Sequence, residues 1–396
     1  MKNVTHKFTL SLITLNIFAA PLTFAAQTSF ANDIIKALSE SDVKLSFRAR
    51  DEAVEQEDID KTANALTIKS RLTMATGSYK NFSLGLEVDN VSALVDNYNS
   101  TQNGQAEYPA VADPTGTDVN QGFVKYSNNE FTAVVGRQRI VHNNQRFVGG
   151  VAWRQNEQTF DALRLQYNTG DLNADYSFVS NINDITGHNV SGDFHLANVG
   201  YTFNKAHKIS GFSYVLDYNA ASNAGKSTTT FGGLYNAKFG PVFVNASAAS
   251  QSDNGENTES FSATYLNAEV GGKVGPVTLL AGYELLGSDN GVGFSTPLAT
   301  LHKFQGFSDK FLSTPAEGIQ DVYLTVKGAV SGVNLSATYH DLSSDINDKD
   351  YGSEIDLVAV YSINKNYKTL IKLATYSATD HATDTSKLWL QAEAKF

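Results

Sequence analysis

From Val43 onwards, apolar and polar residues alternate with a period of two along most of the chain. Val43, Leu45, Phe47 and Ala49 interleave with Lys44, Ser46, Arg48 and Arg50. Leu66, Ile68, Leu72 and Met74 do so with Thr67, Lys69, Arg71 and Thr73, and Phe82, Leu84, Leu86 and Val88 with Ser83, Gly85, Glu87 and Asp89. Successive side chains of a strand point to opposite faces, so each segment reads as a strand with one apolar and one polar side. Similar segments begin near Asn120, Phe131, Thr159, Leu172, Phe194, Lys208, Thr230, Val242, Phe261, Val277, Ile319, Val333, Ser353, Lys368 and Lys387. The total is about eighteen strands. Helical periodicity is rare, Ile34 to Leu38 being the one modest candidate.

The breaks between strands alternate in length. Short turns fall at Gly77 to Lys80, Ser127 to Asn129, Asn168 to Asp171, Asn204 to His207, Gly240-Pro241, Gly275-Pro276, Gly328 to Gly332 and Ser362 to Asn366. Between them lie longer polar connections: Asp51 to Ala63, Asn90 to Val119, Arg139 to Gln158, Ser180 to Asp193, Asp217 to Thr229, Gln251 to Ser260, Gly287 to Glu317, Leu342 to Tyr351 and Ser377 to Ser386. Short ends on one side and long ends on the other are the asymmetry of a transmembrane antiparallel up-and-down β-barrel, with short periplasmic turns and long extracellular loops. Asn90 to Val119 and Gly287 to Glu317 are the natural candidates to enter the pore.

Composition narrows the class. The chain has 396 residues, 41% apolar and 18% charged, with no Cys and a net charge of −11. That balance excludes a coiled coil, a disulfide scaffold and zinc-thiolate or Cys-nucleophile chemistry, and it argues against a nucleic-acid partner. Lys2 and Lys7, the apolar run Phe8 to Ala20 and the small residues ending at Ala25 form a signal peptide over residues 1–25. Its removal takes the charge from −11 to −13. Residues 26–42 then read as a short periplasmic segment and 43–396 as the barrel.

In hydrocarbon, backbone donors and acceptors lack water partners, so strands must pair on both edges and the sheet must close. The outward rows carry aromatics near strand ends, among them Tyr167, Tyr201, Phe203, Phe239, Tyr283 and Tyr361, as interfacial girdles do. The opposite rows are polar and call for an aqueous lumen, which a barrel of about 16–18 strands leaves open. The last strand places Leu388, Leu390, Ala392, Ala394 and Phe396 on one face. A chain that stops on an aromatic inside a strand resembles bacterial outer-membrane proteins, and that resemblance implies contact with the barrel assembly machinery through Phe396, with outer-membrane lipid and lipopolysaccharide as the other expected partners. The outward rows look alike all round, which suits a monomer.

Charge is distributed unevenly. The eight arginines, Arg48, Arg50, Arg71, Arg137, Arg139, Arg146, Arg154 and Arg164, all precede residue 165. Sequence order is angular order in such a barrel, so Arg48, Arg71, Arg137 and Arg164, with Lys44, Lys69 and Lys125, would form one basic wall. Later inward candidates are acidic: Asp175, Asp217, Glu269, Glu284, Asp321, Glu354 and Asp356. Two readings stand side by side. In one a transverse field favours anions along the basic side; in the other Glu87, Asp89 and Asp161 neutralise the arginines in salt networks.

The segment Gly136 to Ala162 concentrates planar donors and acceptors: Gly136-Arg137-Gln138-Arg139-Ile140, Asn143-Asn144-Gln145-Arg146-Phe147-Val148-Gly149, and Trp153-Arg154-Gln155-Asn156-Glu157-Gln158-Thr159-Phe160-Asp161-Ala162. It resembles the signature of the alginate-export family of outer-membrane porins. A second block, Phe294-Ser295-Thr296-Pro297-Leu298-Ala299-Thr300-Leu301-His302-Lys303-Phe304-Gln305-Gly306-Phe307 and on to Leu312, is similar to another part of that family. The resemblance implies an eighteen-stranded monomeric barrel with an arginine-rich conduit for anionic polysaccharide.

Local catalytic signatures are absent: the eight His show no HExxH or paired spacing, and no GxSxG occurs. His302 with Asp309 is the nearest thing to a dyad, and Asp341 to Asp350 the nearest to a Ca²⁺ loop. The expectation is an outer-membrane porin, not an enzyme, without metal or cofactor, passing small polar or anionic solutes, acidic oligosaccharides or polysaccharide included. Its candidate solute-binding residues are Arg48, Arg71, Arg137, Arg139, Arg146, Arg154, Arg164, Lys69, Gln138, Gln155, Asn156 and Trp153. A barrel-embedded hydrolase and a surface adhesin or receptor are the alternatives.

Overall fold

The structure, a computed structural model, describes residues 29–396. The leader expected over residues 1–25 lies outside the described residues. A helix, α1 (Ser29–Ser39), covers the helical candidate and leads into the wall. The wall begins with β1 (Asp42–Gln56), β2 (Ile59–Ala75), β3 (Phe82–Asn97), β4 (Gly116–Ser127), β5 (Phe131–Gln138), β6 (Thr159–Thr169) and β7 (Leu172–Asn183). It continues through β8 (Asn189–Asn204), β9 (His207–Tyr218), β10 (Thr228–Phe239), β11 (Val242–Asp253), β12 (Ser262–Val274) and β13 (Val277–Leu286). A two-residue hairpin, β14 (Ser288–Asp289) and β15 (Val292–Gly293), stands apart in the next loop. The wall ends with β16 (Ile319–Val330), β17 (Val333–Ser343), β18 (Asp350–Ser362), β19 (Tyr367–Ala378) and β20 (Thr385–Lys395).

These form one 18-stranded antiparallel sheet in which each strand pairs with its sequence neighbour. β20 also pairs with β1, from Lys395↔Ser46 to Thr385↔Gln56, so no edge is left open. Beyond the last strand the ladder runs on: Phe396 N donates to Leu45 O at 2.8 Å and Leu45 N to Phe396 O at 3.1 Å. The helix is tied to the short-turn end by Gly77 N donating to Ala37 O at 2.9 Å.

The apolar rows face outward, with Leu84, Val124 and Val135 exposed, while Arg50, Glu52, Lys69, Glu87 and Asp89 on the other face are buried inside. Tyr167, Tyr201, Phe203, Phe239 and Tyr361 are exposed at the short-turn end, as expected of a girdle. Tyr283 lies higher, its hydroxyl donating to Gln320 Oε1 at 2.9 Å.

Two features depart from the pattern reading. Several strands run further than alternation indicated: β1 and β2 meet across Glu57-Asp58 alone, and β3 continues to Asn97. Above the lipid band neither face has to be apolar, so alternation fades while the backbone ladder continues. The second departure is inside. Phe194 and Leu196 on β8, Phe212 and Tyr214 on β9, and Tyr265 on β12 face inward and are buried against Phe147 and Val148 of loop 139–158 and Phe294 and Leu298 of loop 287–318. These inner rows meet folded loops where the pattern had implied water, which is why apolar residues are stable there. Asp217 also differs, sharing the row of Ile209 and Val215 with the outer face.

Candidate functional site

The two blocks singled out in the sequence meet inside the barrel. Gly149 N donates to Leu298 O at 2.8 Å, Thr300 N to Gln145 O at 3.0 Å and Gln158 Nε2 to Leu298 O at 3.1 Å. A Cβ at Gly149 would stand 2.3 Å from Thr300 Oγ1, so this close approach requires glycine. Arg146 joins both loops to the wall. Its Nε donates to Glu284 Oε1 at 2.8 Å, Nη1 to Thr296 Oγ1 at 3.0 Å and Nη2 to Gln305 Oε1 at 3.3 Å, and its guanidinium lies 4.7 Å from the Phe304 ring centre. Loop 287–318 is thus one of the two expected to enter the pore, and loop 139–158 joins it. The other candidate, residues 98–115, contributes at its edge: Asp113 Oδ1 accepts from Gln155 N at 2.8 Å and Pro114 O from Asn156 Nδ2 at 2.9 Å.

Along β1 to β7, every arginine is matched to carboxylates. Arg71 donates to both Asp89 oxygens at 2.7 and 2.6 Å and lies 2.9 Å from Glu157 Oε1. Lys69 lies 3.2 Å from Asp89 and 3.3 Å from Glu157, and Arg139 bonds Glu87 and Glu157. Arg164 pairs with Asp175 at 2.5 Å. Arg154 reaches Glu52 at 2.8 Å and Asp309 at 3.1 Å. Arg48 reaches Glu393 at 3.3 Å and donates to the carbonyls of Ala152, Trp153 and Arg154 at 3.1, 3.3 and 3.2 Å, gripping the tip of the loop. Burial disfavours an ionised Glu157, but Lys69, Arg139 and Arg71 outweigh it and hold the carboxyl well below its ordinary range. Burial likewise opposes the charge of Arg154, and Glu52, Asp113 and Asp309 more than restore it.

Arg137 departs from this wall. It pairs with Gly122, two residues beyond the Val124↔Val135 pair whose side chains face outward. A one-residue offset decides the face of a strand. From the outer row Arg137 bonds Asp161 at 2.9 Å and the Val119 carbonyl at 3.1 Å near the long-loop rim. Gln138 faces in and satisfies backbone carbonyls of Val134, Gly136 and Ala162 at 3.3, 3.3 and 3.1 Å. Gln155 donates to Thr67 Oγ1 at 2.9 Å.

Trp153 stacks on His302, with ring centres 4.8 Å apart and planes 7° from parallel, and its ring also receives Arg50 at 4.0 Å and Lys372 at 4.1 Å. His302 Nδ1 faces Asp309 Oδ1 at 2.6 Å and Nε2 faces Lys372 Nζ at 2.6 Å. The lysine can only donate, so Nε2 accepts and the proton sits on Nδ1. Burial keeps His302 well below its usual pKa despite Asp309, and it keeps the neutral form. The dyad suspected from sequence is therefore real as a contact: Nδ1 is spent within the loop on Asp309, and Nε2 ties the loop to Lys372 of β19. Glu52, Asp113, Lys372 and Lys387 complete the cluster and escaped sequence reasoning, as did the partners that Arg50, Glu157, Glu284 and Gln305 find there; Glu284 lies more than a hundred positions from Arg146, and Glu52 and Asp309 more than a hundred from Arg154.

Space remains on both sides of the docked loops. Towards the long loops a polar cavity of about 440 Å³ is lined by Asp89, Asp118, Arg137, Asn156, Glu157 and Asn183 among others. Towards the short turns, about 300 Å³ is bounded by Asn143, Asn144, Lys208, Asn245, Asn267 and Glu269.

The sequence model of the alginate-export family, described as "Alginate export", matches residues 39–181, which takes in the Gly136 to Ala162 block and stops short of the second. The resemblance read from that first block is thereby borne out. No curated protein matches. Among solved structures the barrel is similar to OccAB4 of Acinetobacter baumannii (12% identity, 90% of this chain and 98% of that one, TM-score 0.68). It is also similar to OpdO of Pseudomonas aeruginosa (13%, 92% and 99%, 0.69) and to OccK9 (OpdG) of the same species (16%, 91% and 100%, 0.68). These are outer-membrane porins, and they share the fold. The chain is a closed 18-stranded antiparallel β-barrel of the fold these structures have, with short turns at one end and long loops at the other.

Proposed function

We propose that this outer-membrane barrel conducts small polar and anionic solutes, acidic oligosaccharides among them, through a lumen narrowed by loops 139–158 and 287–318. The observation that carries the reading is polar space on both sides of the docked loops, with arginines along the narrow part. Because each arginine is backed by carboxylates, a passing anion meets donors held in place, not bare charge, and exchange stays fast. Arg48, Arg71, Arg139 and Arg164 are the donors closest to such a path; Arg146, Arg154, Trp153 and Gln155 keep the loops in position. Arg137 and Asn156 belong to the entrance from the long-loop side.

The test is reversal potential in a salt gradient across planar bilayers. Arg48→Gln with Arg139→Gln is expected to shift selectivity towards cations, since Glu393, Glu87 and Glu157 lose their counter-charges, while Arg137→Gln leaves it nearly unchanged. Unchanged selectivity in the first variant would overturn the role of these arginines, and absence of stepwise conductance the channel itself. The same reading has the barrel work as a monomer and assemble through the exposed Phe396, whose backbone extends the closing seam.

A further inference from the structure

One sector of the outward wall is hollow. Where β8 to β12 run side by side, Val199, Gly211, Gly233, Ala248 and Leu266 stand opposite one another in register. One row nearer the short turns follow Tyr201, Ile209, Tyr235, Ala246 and Ala268. Both rows face outward, because the residues alternating with them, Phe212, Leu234 and Tyr265 among them, are buried inside. Small residues in the middle and large exposed ones at the sides leave an apolar recess of about 830 Å³.

The two central glycines are not there for the backbone. Neither has a positive φ, and a Cβ at Gly211 would meet nothing nearer than Gly232 O at 4.0 Å, one at Gly233 nothing nearer than Ser210 O at 3.3 Å. Glycine inside a strand weakens it, so a pair that the fold does not require marks a place where something else approaches the sheet. The rim of the recess towards the short turns is polar. His207, outward on β9, has Nδ1 2.8 Å from the Tyr235 hydroxyl, with the two rings stacked at 6.1 Å and Phe239 edge-on at 5.3 Å. With the hydroxyl donating, the imidazole proton lies on Nε2 as a further donor. Two positions away, Lys205 is exposed in the turn between β8 and β9, and among the described residues no carboxylate lies within ion-pair distance of it.

We propose that this recess binds one glycerophospholipid, with an acyl chain lying over Gly211 and Gly233 and the phosphate held by Lys205 and His207. The inference rests on the reading of the barrel as membrane-spanning and gives that barrel one fixed lipid. Shape selects a chain over a second copy of the barrel. Two copies meeting here would set hollow against hollow, and the lining of the void between them would forfeit its dispersion contacts. Charge selects the headgroup, because an unpaired ammonium and an imidazole N–H at the end of an apolar track together suit a phosphate. Exchanging one chain for another in hydrocarbon brings no hydrophobic gain, so retention comes from packing and the phosphate contact, set against the entropy of ordering the chain.

The test is native mass spectrometry of the detergent-solubilised barrel, with palmitoyl-oleoyl phosphatidylglycerol as probe and the matching diacylglycerol, which lacks the phosphate, as control. One phosphatidylglycerol is expected to stay bound at a collision energy that strips the others, whereas diacylglycerol is lost with them. Gly211→Leu/Ala248→Leu fills the recess, Lys205→Gln/His207→Gln removes the phosphate donors, and each is expected to lower the retained fraction about tenfold. Heat-modifiable gel mobility checks that both variants are folded. Retention unchanged in either variant overturns the site, and a wild-type oligomer that Gly211→Leu/Ala248→Leu dissociates overturns the lipid in favour of a second copy. Flotation with phospholipid vesicles keeps the two readings apart: a barrel that floats without a retained lipid loses this site alone, and one that does not float loses the membrane reading itself.

Discussion

Replacing Arg146 by Met keeps most of the volume and removes the charge. The side chain is 1% exposed and donates to Glu284, Thr296 and Gln305, which come from the wall and the second loop. Glu284, itself 3% exposed, would keep the Tyr265 hydroxyl at 2.7 Å but lose its cation. Breaking a buried pair by removing one partner costs about 3–5 kcal/mol. The barrel ladder does not depend on this residue, so the cost falls on loop docking. At about 1.4 kcal/mol per tenfold, the undocked population should rise from roughly a hundredfold to a few thousandfold. Single-channel recordings should then show flickering to larger conductance, and amides of residues 139–158 and 294–312 should exchange faster, while the heat-modifiable gel mobility of the folded barrel stays unchanged. Glu284→Gln added to Arg146→Met should recover part of the loss, because it removes the stranded charge. Quiet channels of normal conductance with unchanged exchange would refute the assignment of Arg146 as the pin between loops and wall.

Other consequences can be checked in the same assays. Gly149→Val should undock loop 139–158 from Thr300 by steric overlap and raise channel noise, with wild-type noise counting against the contact. Lys310, held down to about 8 by burial and by Lys387, carries a proton below that value at a cost to docking; as pH rises from about 8 towards its unfolded value near 10.5, docking should tighten, and Lys310→Met should remove that dependence. Glu157 and Asp309 are held below ordinary carboxylates although burial opposes ionisation; Lys69, Arg139 and Arg71 act on the first, and His302, Lys387 and Arg154 on the second. Their contribution is therefore present above the unfolded values near 4 and lost as pH falls through the lower folded ones, so proteolytic resistance of the loops should hold to about pH 5 and decline progressively as pH falls below about 4.

How much of this could be read from the chain depends on the range of the interaction. Strand number and facing were legible because lipid imposes an apolar residue at every second position, as in Leu84, Leu86 and Val88 opposite Glu87 and Asp89. The ends of β1 and β3 were not, because water above the lipid relaxes that demand. Arg48, Arg71 and Arg164 were correctly placed on the inner face by parity. Arg137 stands two positions beyond the outward Val135 on a β5 with no register shift, so parity puts it on the outer row, and it meets the polar cavity only at the long-loop rim. The two loops were recognisable as unusual strings, but their mutual docking was invisible: Arg146 and Glu284 lie 138 positions apart. Phe212 and Tyr214 look like lipid-facing residues until the loop that covers them is known.

The seam between β1 and β20 bears on how the wall is made. Every other pairing joins neighbours in sequence and can form as the chain is delivered, whereas Arg48 and Glu393, facing each other in register, are separated by 345 positions. The entropy of closing a loop grows only slowly with its length, so the cost of this last pairing is moderate. Its timing is another matter: until Thr385–Lys395 arrives, the sheet is an open curl whose first strand offers an unpaired row of amides and carbonyls to lipid and to other chains. That exposed row on β1 lasts until β20 closes the seam, which makes the seam the place where an aggregating neighbour would compete with the chain's own last strand.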